Sequence, residues 1–200
     1  MSIMPVSTSF DDQSAAGKGV LDSRESDQKG AAAAQSGEQT PSQAQQLPRH
    51  VQAFEPGTWT LSGCGVFSWS VFRLYRASLF VQGTVDSGRP YALLLSYLRK
   101  VTAQQIADTS VQQFERLGFG SSEQHQQWRS LLLGLLPDVA LGDHLTGLFY
   151  PNQKVEFFDG NKHLGCVEDP AFAQAFAAIW LDPRTQGQSL RKALLGISDD

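Results

Sequence analysis

The sequence predicts an α+β fold in which an antiparallel β-sheet packs against a layer of helices. Two observations predict it. The candidate segments follow one another in the order strands, helices, strands, helices. The later strands are separated by turn sequences of hairpin length, Pro-Asn and Asp-Gly-Asn, which join antiparallel neighbours.

The N-terminal part of the chain is expected to lie outside this fold. Residues 1–48 contain eight large apolar residues and no Trp or Tyr, and they are rich in Ser, Gln, Ala and Gly. Such a segment cannot bury enough apolar surface to offset the entropy lost on ordering. We therefore predict a disordered tail over residues 1–48 and one domain over residues 49–200. A domain of that length buries roughly 70% of its unfolded surface.

Two long apolar runs begin the domain. Thr58–Phe67 and Trp69–Gln82 are predicted to be strands, and Gly63 and Gly65 mark a bulge or the close approach of another backbone. Both faces of the second run are mostly apolar, which is typical of a strand covered on both sides. A third strand is predicted at Tyr91–Arg99.

Local signals then predict two helices. Thr102 is the N-cap of the first, with Gln105 at the capping-box position, and Gly118 ends it. The second begins near Ser122 and ends at Pro137. Its buried face is expected to hold residues at helical spacing, namely Trp128, Leu131, Leu132, Leu135 and Leu136.

The last part of the domain is predicted to form strands followed by helices. Three short strands are predicted near His144–Tyr150, Lys154–Phe158 and His163–Val167. Asp169 caps a third helix, Ala171–Leu181, with Pro170 at its first position. A final helix, Ser189–Leu195, ends at Gly196.

Charge and composition argue against several functional classes. The net charge is −4, so there is no basic field for nucleic acid, and we expect no nucleic-acid partner. No apolar run approaches the roughly 18 residues of a transmembrane helix, and none is expected. The N-terminus lacks the basic and apolar regions of a signal peptide, which predicts a cytoplasmic protein.

Cysteine and histidine usage gives no sign of a metal site. Cys64 and Cys166 are far apart in the sequence and match no zinc-binding spacing. They would pair only in an exported chain, and we expect both to be buried small hydrophobes. The histidines are scattered without a ligand-like spacing, so neither a metal nor a cofactor is predicted.

Two arginine–tyrosine pairs are the candidate binding groups. Arg73 and Tyr75 are two residues apart in a predicted strand, so they share a face and their polar ends would meet on one carboxylate or carbonyl. Tyr97 and Arg99 repeat this arrangement on the next strand. In the alternative interpretation, Arg73 extends past the sheet edge and Tyr75 is a core residue whose hydroxyl has a partner.

Four segments, taken in order, carry a family resemblance. They are GCGVF, FRLYRASLFV, YALLLSYLRKVTAQQIADTS and AFAAIWLDPRTQGQSLRKALLG. Together they resemble the chalcone isomerase-like family, and within it the bacterial branch. The similarity covers about residues 57–197, which is nearly all of the predicted domain and none of the tail.

The resemblance implies an open-faced sandwich, with a large antiparallel sheet, helices on one side and a ligand cleft between them. In the isomerases of this family, an arginine just after the Gly-x-Gly step holds the phenolate nucleophile, and a threonine on the next strand helps to polarise the ketone. Here the arginine position falls on Phe67 and the threonine position on or near Tyr75. Without the cation, the nucleophile is neither ionised nor aligned. We therefore expect no chalcone isomerase activity and no catalytic residue.

The favoured hypothesis is a non-catalytic binding domain. Its ligand would be an apolar small molecule with an acidic head. By resemblance this is a fatty acid, with haem as a second candidate. The expected ligand-binding residues are Phe67, Arg73, Tyr75, Tyr97 and Arg99.

Two other functions stay open. One is an enzyme with altered chemistry, which uses Arg73 or Arg99 with Tyr75 on an unknown carbonyl substrate. The other is a protein-interaction module without a small ligand. The periplasm is the alternative compartment, since relatives, by resemblance, often carry an export signal before this domain.

Overall fold

The computed structural model describes residues 46–69 and 72–197 of the chain. Nearly all of the predicted disordered tail, residues 1–45, lies outside the described residues. Within them, Leu47 is 3% exposed and Val51 is fully buried. The packed domain therefore includes Leu47, which the sequence prediction placed in the tail.

One six-stranded sheet forms the centre of the described domain. Its strands are β1 (Thr60–Trp69), β2 (Phe72–Val81), β3 (Tyr91–Tyr97), β4 (His144–Tyr150), β5 (Lys154–Asp159) and β6 (Lys162–Val167). Each pairs antiparallel with the next, so the order in space is the order in sequence. The predicted antiparallel sheet is confirmed, and every predicted strand is present with ends shifted by a few residues.

Five α-helices accompany the sheet in the described part of the chain. They are α1 (Arg49–Phe54), α2 (Ala103–Leu117), α3 (Ser122–Leu135), α4 (Pro170–Leu181) and α5 (Gln188–Leu195). The sequence predicted α2 to α5 but not α1. Within the described ranges, no helix is both long enough and apolar enough to cross a membrane.

Helices α2 to α5 form a layer on one face of the sheet, which we call the inner face. Sheet residues such as Ala77, Leu79 and Leu93 share one core with Phe114 of α2 and Phe172 of α4. These five side chains are at most 3% exposed. Burial of this apolar surface is the main contribution to the stability of the layered architecture.

A second, smaller core lies on the opposite face, which we call the outer face. It contains Leu47, Val51, Phe80, Ala92, Leu94, Leu148 and Phe158. The segment of Leu47 and α1 covers this part of the sheet. The apolar residues on both faces of β2 thus have partners on both sides, as their pattern predicted.

The predicted helix caps are present. The Thr102 hydroxyl accepts a bond of 3.1 Å from the Gln105 backbone, and the Gln105 side chain accepts one of 2.9 Å from the Thr102 backbone. The Asp169 carboxylate accepts from the first turn of α4 at 2.8 Å and 3.2 Å. In α3, however, Leu131 is 46% exposed. Its predicted burial is wrong, because it lies on the flank of the stripe that contacts the sheet.

The two cysteines are exposed thiols, so the prediction that they are buried is wrong. Cys64 lies on β1 and Cys166 on β6, at opposite edges of the sheet. Each cysteine alternates with residues that face the helical layer, Gly63 and Gly65 in β1 and Val167 in β6, so both cysteines lie on the outer face, which α2 to α5 do not cover. Five strand spacings of about 4.8 Å separate the two strands, so the cysteines do not pair within one chain.

Candidate functional site

Three aromatic side chains stand side by side on the inner face at one end of the sheet. Phe67 on β1, Tyr75 on β2 and Tyr97 on β3 are direct cross-strand neighbours. The rings of Phe67 and Tyr75 are stacked with their centroids 5.3 Å apart, and Tyr97 meets Tyr75 edge-on at 5.9 Å. Such cross-strand pairs add stability beyond the area that they bury. We call these three residues the aromatic row.

Trp180 of α4 covers the middle of the aromatic row. Its indole N–H donates a hydrogen bond of 3.0 Å to the hydroxyl of Tyr75. Burial raises the pKa of Tyr75 well above its usual value, although the bond from Trp180 acts in the opposite direction. Burial also raises the pKa of Tyr97, and the neighbouring Tyr75 adds to the shift. Both phenols therefore keep their protons at any physiological pH.

Helix α5 covers the Phe67 end of the row. A Cβ placed on Gly187 would lie 3.4 Å from the Phe67 ring, which shows how closely the start of α5 approaches it. Leu190 and Ala193 of α5 lie against the two glycines of β1. A Cβ on Gly63 would overlap the backbone oxygen of Ala193, and a Cβ on Gly65 would lie 2.9 Å from the Leu190 side chain. The Gly-x-Gly step is thus the place where the α5 backbone contacts β1, as the sequence suggested.

Arg73 does not share a face with Tyr75, so that prediction is wrong. The pairing of β1 with β2 changes register between Phe67 and Ser68. Phe67 faces Tyr75, whereas Ser68 faces Arg73, and this leaves Leu74 as an extra residue. An extra residue interrupts the alternation of side chains along a strand. Arg73 therefore lies on the outer face, where its side chain is exposed.

Arg99 does not repeat a strand pair with Tyr97 either. Strand β3 ends at Tyr97, and Arg99 follows in a bend, where it is half-buried and has an interaction partner. Of the five residues predicted to bind ligand, the structure brings Phe67, Tyr75 and Tyr97 together. It places Arg99 just beyond the end of that group.

The chemistry available at the aromatic row is limited to packing and hydrogen bonding. A phenol with a raised pKa is a poor general base. The described residues also contain no group of three or more His, Cys, Asp or Glu side chains able to hold a metal ion. The arrangement suits contact with an apolar molecule better than acid–base chemistry.

The sequence analysis did not identify the contact between Trp180 and Tyr75. The apolar spacing of α4 places Phe176 and Trp180 on one face, and their rings meet edge-on at 5.3 Å. That spacing predicts burial, but it does not reveal which strand residue receives the indole N–H.

Comparison with known proteins gives one family match and a solved structure of similar fold. A family model described as chalcone isomerase-like matches residues 39–196. The crystal structure of a fatty-acid binding protein from Arabidopsis thaliana superposes with a TM-score of 0.57 at 11% sequence identity, over 68% of this chain and 86% of that one. At this identity the likeness concerns the fold alone. It agrees with the predicted open-faced sandwich, which is confirmed. No curated protein sequence matches the chain.

Proposed function

Because the chain belongs to the chalcone isomerase-like family, we propose that it is a non-catalytic member that binds an apolar small molecule with an acidic head between its sheet and its helices. A fatty acid is the ligand class that we favour. The Arabidopsis thaliana protein of similar fold is described as a fatty-acid binding protein. Within the family, the bacterial branch is the part that the sequence motifs resemble.

The aromatic row is the observation that carries this proposal. We assign Phe67 to the position at which the isomerases of the family have their arginine, and its ring stacks on Tyr75. A phenyl ring cannot stabilise a phenolate, whereas it favours contact with hydrocarbon. Trp180 and Leu190, which are 7% and 5% exposed, extend the same apolar surface.

Access of an acyl chain to the whole aromatic row requires a rearrangement, because Tyr97 is buried and α5 lies against the half-buried Phe67. Helix α5 is the element whose displacement uncovers Phe67. It is held by the buried side chains of Leu190 and Leu194, by a bond of 2.8 Å from the Arg191 Nε to the Leu181 carbonyl oxygen, and by a bond of 3.0 Å from the Ser62 hydroxyl to the Leu194 carbonyl oxygen. A helix of eight residues that packs on an edge strand opens at lower free-energy cost than the central strands.

Arg99 is the candidate partner for the acidic head. It follows Tyr97 by two residues, at the end of β3 that carries the aromatic row. An arginine at the rim of an apolar site forms charge-assisted hydrogen bonds with a carboxylate. Arg73 is less suitable, because its register partner Ser68 places it on the outer face.

Haem fits this site less well than an acyl chain. Haem iron takes histidine, cysteine, methionine or tyrosinate as its axial ligand. The side chains described around the aromatic row belong to Trp180, Phe176 and Leu190, and none of these is such a ligand. Tyr75 is bonded to Trp180 and has a raised pKa, which disfavours the tyrosinate form.

Altered carbonyl chemistry has weaker support than binding. That hypothesis required an arginine and Tyr75 to act on one substrate group. Arg73 lies across the sheet from Tyr75, and the raised pKa of Tyr75, whose hydroxyl accepts a bond from Trp180, disfavours its use as a base. We therefore keep binding as the proposed function.

Calorimetric titration of the lipid-free chain with dodecanoate and dodecanol tests this proposal. We expect dodecanoate to bind with a Kd in the range of about 1–10 µM, and dodecanol to bind at least about tenfold more weakly. Arg99→Gln should remove the preference for the acid, whereas the matched variant Arg73→Gln should keep it. Native mass spectrometry of the chain as purified should find a bound acyl lipid rather than a porphyrin.

Absence of both dodecanoate binding and co-purified lipid would contradict the proposed function. Equal loss of acid preference in Arg73→Gln and Arg99→Gln would leave binding intact and overturn the assignment of the head-group partner.

A further inference from the structure

A small hollow opens at the end of the sheet opposite the aromatic row, between the inner face and α4. Its volume is about 120 Å³. Tyr91 lies at the start of β3 and Tyr97 at its end, so about 20 Å of strand separates the hollow from the aromatic row. The lining residues are Tyr91, Phe149, Tyr150, Pro151, Asn152, Ala173, Gln174 and Ala177.

The floor of the hollow is aromatic and its helical wall is made of small residues. The rings of Tyr91 and Phe149 are stacked at 5.0 Å with an interplanar angle of 11°. Opposite them, Ala173 and Ala177 stand one helical turn apart on α4. Alanine at both positions leaves room where larger side chains would fill the space. This shape suits a flat, ring-sized group.

Three polar groups converge on the hollow. The Tyr91 side chain is buried at 7% exposure, and no described residue forms a hydrogen bond with its hydroxyl. Burial and the nearby Asp86 carboxylate raise the pKa of Tyr91, which keeps the hydroxyl as a donor. The amides of Asn152 and Gln174 lie on the exposed rim. The hydroxyl is not among the buried polar atoms that lack a partner, so it is in contact with solvent at the hollow, and a ligand oxygen would take the place of water there.

The charges around the hollow favour a neutral ligand. Asp86 acts on Tyr91 through its negative charge, which opposes an anionic group at that position. Lys154 lies 5.1 Å from the centre of the Tyr150 ring, yet its ammonium is bonded to Glu156 at 2.7 Å. Lys154 is therefore already paired with a carboxylate, which disfavours binding of a second carboxylate at the hollow.

The volume sets the size of the ligand. An apolar protein cavity of roughly 150 Å³ accommodates benzene. The hollow is somewhat smaller, but its rim is open, so a substituent of the ring can project between Asn152 and Gln174.

We propose that this hollow is a second binding site, separate from the fatty-acid site, for a small neutral aromatic molecule that carries one hydrogen-bonding oxygen. The ring lies between the stacked Tyr91–Phe149 pair and the alanines of α4, and the oxygen accepts a hydrogen bond from the Tyr91 hydroxyl. This site goes beyond the proposed function and does not depend on it.

The test uses 4-methylphenol, toluene and 4-methylbenzoate as probes of the ¹⁵N-labelled full chain in NMR titrations. We expect 4-methylphenol to bind with a Kd near about 1 mM and to shift the amide signals of Ala173 and Ala177. The negatively charged 4-methylbenzoate should bind more weakly than 4-methylphenol, because the Asp86 carboxylate repels it.

Two variants assign the probe to the hollow. Ala177→Leu fills the space and should weaken 4-methylphenol binding by at least about tenfold, whereas the matched exposed variant Ala171→Leu should leave it unchanged. Tyr91→Phe keeps the ring and removes the hydroxyl. It should weaken 4-methylphenol binding by up to about tenfold and leave toluene binding unchanged. This conservative variant decides the question even if Ala177→Leu fails to fold.

Three results would overturn the proposal: no binding of 4-methylphenol, unchanged binding in Ala177→Leu and Tyr91→Phe, or competition between 4-methylphenol and dodecanoate. Because the last result places both probes in one site, it leaves the proposed fatty-acid function intact. Loss of dodecanoate binding alone contradicts only the proposed function.

Discussion

The indole N–H of Trp180 donates a hydrogen bond to the hydroxyl of Tyr75 at 3.0 Å, and this bond joins α4 to β2 through the interior of the domain. Trp180 is 7% exposed, so its N–H has to find a partner within the protein. The ring of Tyr75 also stacks on Phe67. Tyr75 thus connects the helical layer with the aromatic row, which is the region where we place the ligand.

Tyr75→Phe is expected to destabilise the domain by about 1–3 kcal/mol, because it leaves the buried N–H of Trp180 without an acceptor. Urea denaturation followed by circular dichroism measures the change. A double-mutant cycle with Trp180→Phe isolates the bond, and we expect a coupling energy of about 1 kcal/mol. Additive effects of the two substitutions would mean that the bond contributes nothing to stability.

Gly63→Ala is expected to destabilise the domain by about 1–3 kcal/mol, because the new methyl group overlaps the backbone oxygen of Ala193 and pushes α5 away from β1. Gly134→Ala is the matched control. Nothing lies within 4 Å of a Cβ at Gly134 in α3, so this substitution should stabilise the domain by about 0.5–1 kcal/mol. The urea midpoints of the two variants should move in opposite directions. A midpoint for Gly63→Ala at or above wild type contradicts the close contact of α5 with β1.

Acid is expected to weaken the domain through His50 of α1. Burial lowers the pKa of His50 below its usual value, and a hydrogen bond with Asn161 only partly opposes the shift. The buried Nε2 atom of His50 also has no hydrogen-bond partner among the described residues. As the pH falls, His50 therefore takes up a proton at a higher pH in the unfolded chain than in the folded protein. The contribution of His50 to stability is complete above about pH 6.5 and declines as the pH falls from there towards the lowered pKa.

The measurement is the free energy of unfolding in urea between about pH 7.5 and about pH 5.5. His50→Phe keeps an aromatic ring next to Phe158, which His50 contacts at a centroid distance of 5.5 Å. The wild-type protein should lose more stability than His50→Phe over this range. The same pH dependence in both proteins would show that His50 does not take up the proton that matters.

Cys166 is expected to react slowly with thiol reagents near neutral pH, although it is exposed. Its pKa is raised by burial of the sulfur and by the carboxylates of Glu156 and Glu168, so little thiolate is present. In a Cys64→Ser background, the rate of reaction with a disulfide reagent should keep rising at pH values above the usual thiol pKa. Glu168→Gln removes a carboxylate 4.0 Å from the sulfur and should accelerate the reaction at pH 7.5. An unchanged rate would show that Glu168 does not control the thiol.

Local features of the fold were predictable because their physical causes are local. Thr102 and Gln105 satisfy the backbone groups at the start of α2, and both residues act within one turn. Asp169 and Pro170 set the start of α4 in the same way. The hairpin turns between β4, β5 and β6 carry their own turn residues, so these strands were located closely.

Features that depend on tertiary contacts were not predictable in the same way. The extra residue at Leu74 leaves no mark in the alternation of apolar residues, yet it moves Arg73 to the outer face. Helix α1 has six residues, and Val51 is its one buried side chain, so its sequence is too polar to reveal that it covers the sheet. The exposure of Cys64 follows from its place on the outer face of β1, opposite α5, which is known only from the tertiary packing.

The aromatic row was predictable in its members but not in its geometry. Phe67 came from the family resemblance, and Tyr75 and Tyr97 from their positions in predicted strands. Their alignment across β1, β2 and β3 depends on the register of two strand pairs. Sequence spacing does not give that register, because it is set by the turns and by the bulge.

The central claim is that an acyl chain binds on the inner face, next to the aromatic row. Quenching of tryptophan fluorescence by 12-bromododecanoate tests it directly, since bromine quenches an indole only at close range. Trp180 lies on the inner face, whereas Trp59 packs against the core of the outer face. We predict that the bromo acid quenches the wild-type protein, that Trp180→Phe loses most of the quenched signal and that Trp59→Phe retains it. Retention of the quenched signal in Trp180→Phe together with its loss in Trp59→Phe would place the ligand on the outer face and contradict the account.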